Sequence, residues 1–246
     1  MEMFRLNGGS QLKTRKFLQG LMMVVLLGSS AAALRAQDYR VFVEGGGSTI
    51  YDKRYYNAYG VSYGSTYKTS NSFAVGAEIP VLKLLSAEGS YGISRNNLAI
   101  TNFYNSAVPH NETGYGIKNQ RISIDAVAHG AKAFKGLRPY LVVGIEADRF
   151  APTSSGAAAA KSPGFNGVPG TVLKPQFQFG YNFGGGVDIS LTHFLAFRLD
   201  ARDHRVRTPT YGLPSAATSS FTAYYPVGGH MNNIVYSAGF VFHFGG

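Results

Sequence analysis

The sequence predicts an all-β fold, an eight-stranded antiparallel up-and-down transmembrane β-barrel. Three observations predict it. From Gln176 to Arg202 apolar and polar residues alternate with a period of two, through two successive runs. That period belongs to strands with one apolar and one polar face. The links between such runs alternate long and short along the whole chain. Charged residues make up only 15% of the 246, while Gly (31), Tyr (16) and Phe (17) are abundant. Soluble domains carry roughly 25% charge.

The N-terminus reads as an export signal. Lys13, Arg15 and Lys16 precede an apolar core from Phe17 to Leu27, and small residues from Gly28 to Ala33 follow it. That order is a secretory signal peptide, and the core is shorter than the ~20 residues of a spanning helix. Residues 1–36 are the expected leader, cut after Ala33 or after Ala36, and residues 37–246 the expected barrel. The leader holds five basic residues against Glu2, a net +4 of the chain's +10, so +6 remains. No Lys/Arg cluster follows residue 36, and nucleic acid is not an expected partner. With no cysteine, disulfides and thiolate metal sites are excluded.

The first strand runs from Asp38 to about Thr49, with Tyr39, Val41 and Val43 opposite Arg40, Phe42 and Glu44. Residues 51–66 read as loop. The second strand, about Tyr67 to Ile79, turns Phe73, Val75, Ala77 and Ile79 one way and Ser72, Gly76 and Glu78 the other. The third, from about Leu84 to Ile93 and beyond, sets Ala87, Tyr91 and Ile93 against Glu88, Ser90 and Ser94. Asn96 to Gly114 reads as a long polar link. The fourth, Gln120 to Ala128, sets Ile122, Ile124 and Ala126 against Arg121, Ser123 and Asp125.

The fifth strand, Leu137 to Phe150, alternates Leu141, Val143, Ile145 and Ala147 with Arg138, Tyr140, Gly144, Glu146 and Asp148. Pro152 to Thr171 is rich in Gly, Ala, Ser and Pro and reads as loop. The sixth and seventh strands are the hairpin from Gln176 to Arg202, broken at Thr192-His193. A last long loop, Pro209 to His230, leads to the eighth strand, Asn233 to Phe244. Short turns on one side and long loops on the other are the plan of a membrane barrel with an even number of strands.

The face chemistry separates this barrel from a soluble one. The polar face is poor in Lys and Glu and rich in Gly, Ser and Asn, unlike a solvated surface. It sets Arg40, Arg121, Arg138, Arg198 and Arg202 against Glu44, Glu78, Glu88, Asp125, Glu146, Asp148, Asp188 and Asp200, as a narrow lumen requires because a confined charge without a partner is costly. The expected lumen network comprises Arg198, Asp200, Arg202, Asp188, Glu146, Arg138, Arg121 and Asp125, with Asp188 in cross-strand reach of Arg198. Tyr39, Tyr91, Phe150, Phe194, Phe242 and Phe244 crowd the strand ends as interfacial girdles do.

Two stretches resemble a known family. Gly184-Gly185-Gly186-Val187-Asp188-Ile189 through Asp200-Ala201-Arg202 is similar to the penultimate hairpin of small OmpA-like outer-membrane β-barrels. Leu137-Arg138-Pro139-Tyr140 followed by Gly144 resembles their fifth strand. The aromatic last strand resembles the signal read by the barrel-assembly machinery, although Gly245-Gly246 follow Phe244 where the family ends on the aromatic. The likeness covers about residues 38–246. It implies a bacterial outer-membrane location, contact with outer-membrane lipid and assembly by that machinery. The family's C-terminal peptidoglycan-binding domain is a departure here, so the resemblance does not carry over a cell-wall tether.

Chemistry-bearing motifs are sparse. The histidines His110, His129, His193, His204, His230 and His243 lack metal-ligand spacing. They read as loop or lumen residues, and no metal or cofactor is expected. Gly184-Gly185-Gly186 lies inside a strand with no Lys-Ser/Thr after it, so it reads as lumen crowding rather than a phosphate loop. The expected function is a non-enzymatic structural and surface-interaction barrel whose four loops hold any surface ligand. The alternatives are a narrow pore for ions or small solutes and, less favoured, a lipid-modifying enzyme.

Overall fold

A strand needs about 9–11 residues to cross a bilayer when tilted, and several strands of this chain are longer. The computed structural model describes residues 39–58, 61–103, 111–131, 136–216 and 222–245. The expected leader lies outside the described residues. Ten strands follow in order: β1 Tyr39–Tyr51, β2 Arg54–Ala58, β3 Val61–Lys68, β4 Ser70–Leu82, β5 Leu85–Phe103, β6 Asn111–His129, β7 Leu137–Pro152, β8 Gln176–Ser190, β9 Leu195–Arg207 and β10 His230–Phe244. A short helix, α1, spans Ser154–Ala159, capped by the Thr153 hydroxyl.

Eight of these strands close a ring. β1 pairs with β4, β4 with β5, and each later strand with the next, until β10 returns to β1. Every pairing is antiparallel. Closure satisfies the backbone of each wall strand internally, as a bilayer demands.

The alternation sets the faces as expected on every wall strand. Leu141, Val143, Ile145, Phe179 and Ile124 stand exposed on the outside, and Arg40, Glu44, Glu78, Asp125, Arg198 and Asp200 are buried inside. The outward apolar run on β7, Leu137 to Ala147, matches a bilayer crossing in length. Tyr39 stacks on Phe244 with ring centroids 5.0 Å apart, where the first and last strands pair on the short-turn side. An outward apolar band around a closed barrel is what a membrane-spanning barrel requires.

Two stretches expected to be loops are strands. Residues 54–58 and 61–68 pair as the antiparallel strands β2 and β3, and β3 continues the line of β4 by pairing with the upper part of β5. The link expected over 96–114 is mostly ladder, with Leu98 facing Tyr115 and Asn102 facing Asn111. Their composition is polar because these strand ends stand above the lipid, where no outward apolar face is needed.

Above the wall the long connections pack together instead of standing free. Tyr63, Tyr67, Leu98, Tyr115, Phe150, Phe165, Tyr211, Tyr225 and Met231 form one buried apolar cluster. Phe150, expected in an interfacial girdle, is only 1% exposed and belongs to this cap.

Candidate functional site

The lumen is organised around Arg198, which β9 points inward at the level of Asp188 on β8. Its Nε donates to Asp188 Oδ1 at 2.7 Å and its Nη2 to Asp188 Oδ2 at 3.0 Å. The same guanidinium reaches Glu88 Oε2 at 3.3 Å and Glu78 Oε2 at 3.2 Å across the barrel. It lies between two rings, 5.1 Å from the Phe42 centroid and 4.6 Å from that of Tyr140. Such a stacked, forked contact suits Arg and would not suit Lys.

The lattice continues in both directions. Toward the short turns, Glu78 Oε1 takes Arg40 Nη1 at 2.9 Å and lies 2.6 Å from His129 Nε2. Toward the long loops, Arg202 bridges Glu88 at 2.8 Å, Asp125 at 3.1 Å and Asp200 at 2.9 Å. Hydroxyls and an amide complete the carboxylates. Tyr140 donates to Asp200 at 2.5 Å, Ser237 to Glu44 at 2.8 Å and Asn182 to Asp125 at 2.8 Å. Gly186 makes room for the Tyr140 hydroxyl, which would lie 2.5 Å from a Cβ there.

One level higher the packing loosens. His204 Nδ1 lies 2.6 Å from Glu146 Oε2, and Asn119 donates to Asp148 at 2.8 Å. Arg121 faces Asp148 across the β6–β7 ladder. A cavity of about 20 Å³ borders Glu44, Ser90, Arg121, Arg202 and His204, room for about one water.

Of the expected network, Arg198, Asp188, Arg202, Asp200 and Asp125 meet in one lattice. Glu146 lies above it with His204. Arg121 and Arg138 face the lumen, but neither takes part in an ion pair within 4.0 Å among the described residues. Arg138 sits opposite Asp188 at the short-turn end of β7. Glu78 and Glu88, which the alternation sets among the opposed charges of the polar face, are central to the lattice, together with His129 and Tyr140. Glu78 meets Arg40 across the β1–β4 ladder, but Arg198 reaches Glu78 and Glu88, and Arg202 reaches Glu88, only because the barrel closes.

The cap packs above the lumen lattice with apolar groups. Phe165 is wholly buried, its centroid 5.0 Å from Tyr115 and 5.4 Å from Tyr225. Asn166, held at a φ of 52° that suits Asn, ties three segments. Its side chain takes the Tyr56 hydroxyl at 2.9 Å and donates to the Tyr224 carbonyl at 2.9 Å, and its carbonyl takes the Tyr63 hydroxyl at 3.2 Å. The Tyr67 and Tyr211 hydroxyls meet at 2.5 Å. Burial raises both phenols well above their ordinary pKa. Burial also raises the Asp52 carboxyl, against the lowering effect of its Arg54 partner.

No family model matches the chain, and no curated protein matches it. Solved structures match by fold. Neisserial surface protein A aligns at 12% identity over 84% of this chain and 97% of its own, with a TM-score of 0.50. The N-terminal β-barrel domain of Pseudomonas aeruginosa OprF aligns at 13% identity over 85% and 98%, with a TM-score of 0.45. The outer-membrane protease OmpT of Escherichia coli aligns at 11% identity over 84% and 97%, with a TM-score of 0.40. At these identities the likeness is one of fold, that of bacterial outer-membrane β-barrels.

Proposed function

We propose that this chain is a closed, non-enzymatic outer-membrane barrel that stiffens the envelope and presents its folded cap to the exterior for surface contacts. The observation that carries the reading is the double filling of the lumen. Arg198 is 0% exposed among three bonded carboxylates, and the Phe165 cluster packs above it. An eight-stranded barrel leaves room inside for little more than side chains. Confined charges held as Arg198 and Arg202 are, among bonded carboxylates, resist displacement by a passing ion.

The non-enzymatic part rests on the two lumen histidines. His129 and His204 are buried and bonded to lumen carboxylates, away from the lipid and from the exterior, where a substrate arrives. The cap differs from four independent loops because a ligand meets one packed surface, with Tyr51 and Tyr55 among its exposed side chains. Conductance of the refolded protein in a planar bilayer tests the reading. A flat baseline is expected, and steady unitary currents would overturn it in favour of a narrow pore.

A further inference from the structure

We propose that the outer rim of β5–β7 is a docking site for the phosphate of an anionic membrane lipid. Arg95 on β5 and Lys118 on β6 stand directly opposite each other, both on the face that turns outward. Like charges so placed repel. Arg149 on β7 is adjacent, its Nη1 donating to Gln120 Oε1 at 2.9 Å, while Gln120 Nε2 donates to the Tyr91 hydroxyl at 2.7 Å. This chain of bonds fixes the level of the rim across three strands.

Among the described residues the rim cations Arg95, Lys118 and Arg149 take part in no ion pair within 4.0 Å. None of the outward positions of β5 from Leu85 to Arg95, of β6 from Lys118 to Ala128, or of β7 from Leu137 to Arg149 is acidic. The outward ion pairs nearer the loops, Lys68–Glu112 and Arg205–Asp203, involve none of the three cations. An anion from outside the protein is what this arrangement fits. Phe177 stands exposed beside Arg149 across the β7–β8 ladder, and Ile122 and Phe179 stand exposed one step beneath, at the top of the apolar band. Phosphate above and acyl chain below is the chemistry of a lipid, and the site lies where a headgroup of the outer leaflet sits. A free phosphate has no use for the apolar half.

The inference rests on the transmembrane reading but not on the filled lumen. The test refolds the full chain into three sets of vesicles: phosphatidylcholine alone, phosphatidylcholine with phosphatidate, and phosphatidylcholine with soluble glycerol phosphate outside. Binding is read with fluorescent phosphatidate. The Arg95→Gln/Lys118→Gln/Arg149→Gln variant should lose the preference for phosphatidate by on the order of a hundredfold. A charge-matched variant on the cap, Lys53→Gln/Lys161→Gln/Lys174→Gln, should keep it. Equal loss in both variants, no loss in the rim variant, or equal competition by glycerol phosphate would overturn the site. A wild-type chain that inserts without preferring phosphatidate overturns this inference alone; one that fails to insert overturns the transmembrane reading with it.

Discussion

Asp188 and Arg198 face each other across the β8–β9 ladder, and the guanidinium grips both carboxylate oxygens, at 2.7 and 3.0 Å. Ten residues and one tight turn separate them, so the hairpin alone brings the pair together. Closure of the barrel then adds Glu78 and Glu88 from the opposite wall. A local pair thus becomes the centre of a lattice, and the lattice fills the lumen.

The faces of the wall predict where charge is tolerated. Val143 and Leu199 are exposed on the outside, within the apolar band. Val143→Arg or Leu199→Arg is expected to cost about 2–4 kcal/mol of folding into lipid if near the midplane. A denaturant titration of the vesicle-inserted protein measures it. Two silent substitutions would reverse the faces.

Gly144 predicts a tight spot inside. A Cβ there would press on Asp125 Oδ1 and lie 2.7 Å from Asp125 Cγ. Asp125 holds Arg202 and Asn182, so it has little freedom to retreat. Gly144→Ala is expected to destabilise the barrel by roughly 1–3 kcal/mol, whereas Gly89→Ala, with open space around its Cβ position, should cost less than 1 kcal/mol or about what the strand's own preference allows. Equal costs in the same titration would contradict the lumen geometry.

The cap predicts an alkaline limit. Tyr67 and Tyr211 are buried and their phenols raised above the ordinary value of 10.0. The folded cap therefore binds protons that the unfolded chain releases above that pH. Its stability is fully present below about pH 10 and is lost as the pH climbs toward the folded values. Limited proteolysis of the cap should accelerate above pH 10 while the wall stays resistant. The Tyr67→Phe/Tyr211→Phe variant should weaken that dependence, the remainder coming from Tyr56, Tyr115 and Tyr225, whose phenols burial also raises. A cap equally resistant at all alkaline pH would contradict the buried phenol pair.

Much of this molecule is legible in the sequence, because a period-two pattern reports the face of each residue directly. That is why Arg198, Asp188 and Asp200 are placed inside from their parity alone. The partnership of Arg198 with Glu88, 110 residues away, is not legible, because alternation fixes a residue's face but not its height across the ring. The cap is not legible for a different reason. The segments around Tyr63 and Leu98 carry strand backbones above the lipid, where alternation no longer separates apolar from polar. Phe165 and Asn166 lie in an irregular Gly- and Pro-rich stretch, whose composition reads as loop and says nothing of what it packs against.

The claim at the centre of this account is that the lumen charges act as one coupled plug, and a double-mutant cycle on Asp188 and Arg198 tests it most directly. Arg198→Ala leaves three buried carboxylates short of their partner and should cost on the order of 3–5 kcal/mol. Asp188→Ala in the same chain should recover part of that loss, giving a coupling of about 0.5–3 kcal/mol. Recovery stays partial because Glu78 and Glu88 remain. Unfolding of the four proteins from vesicles, followed by denaturant titration, supplies the numbers. Non-additivity of that size is the predicted result; simple additivity would mean that the charges are independently hydrated and that no coupled plug exists.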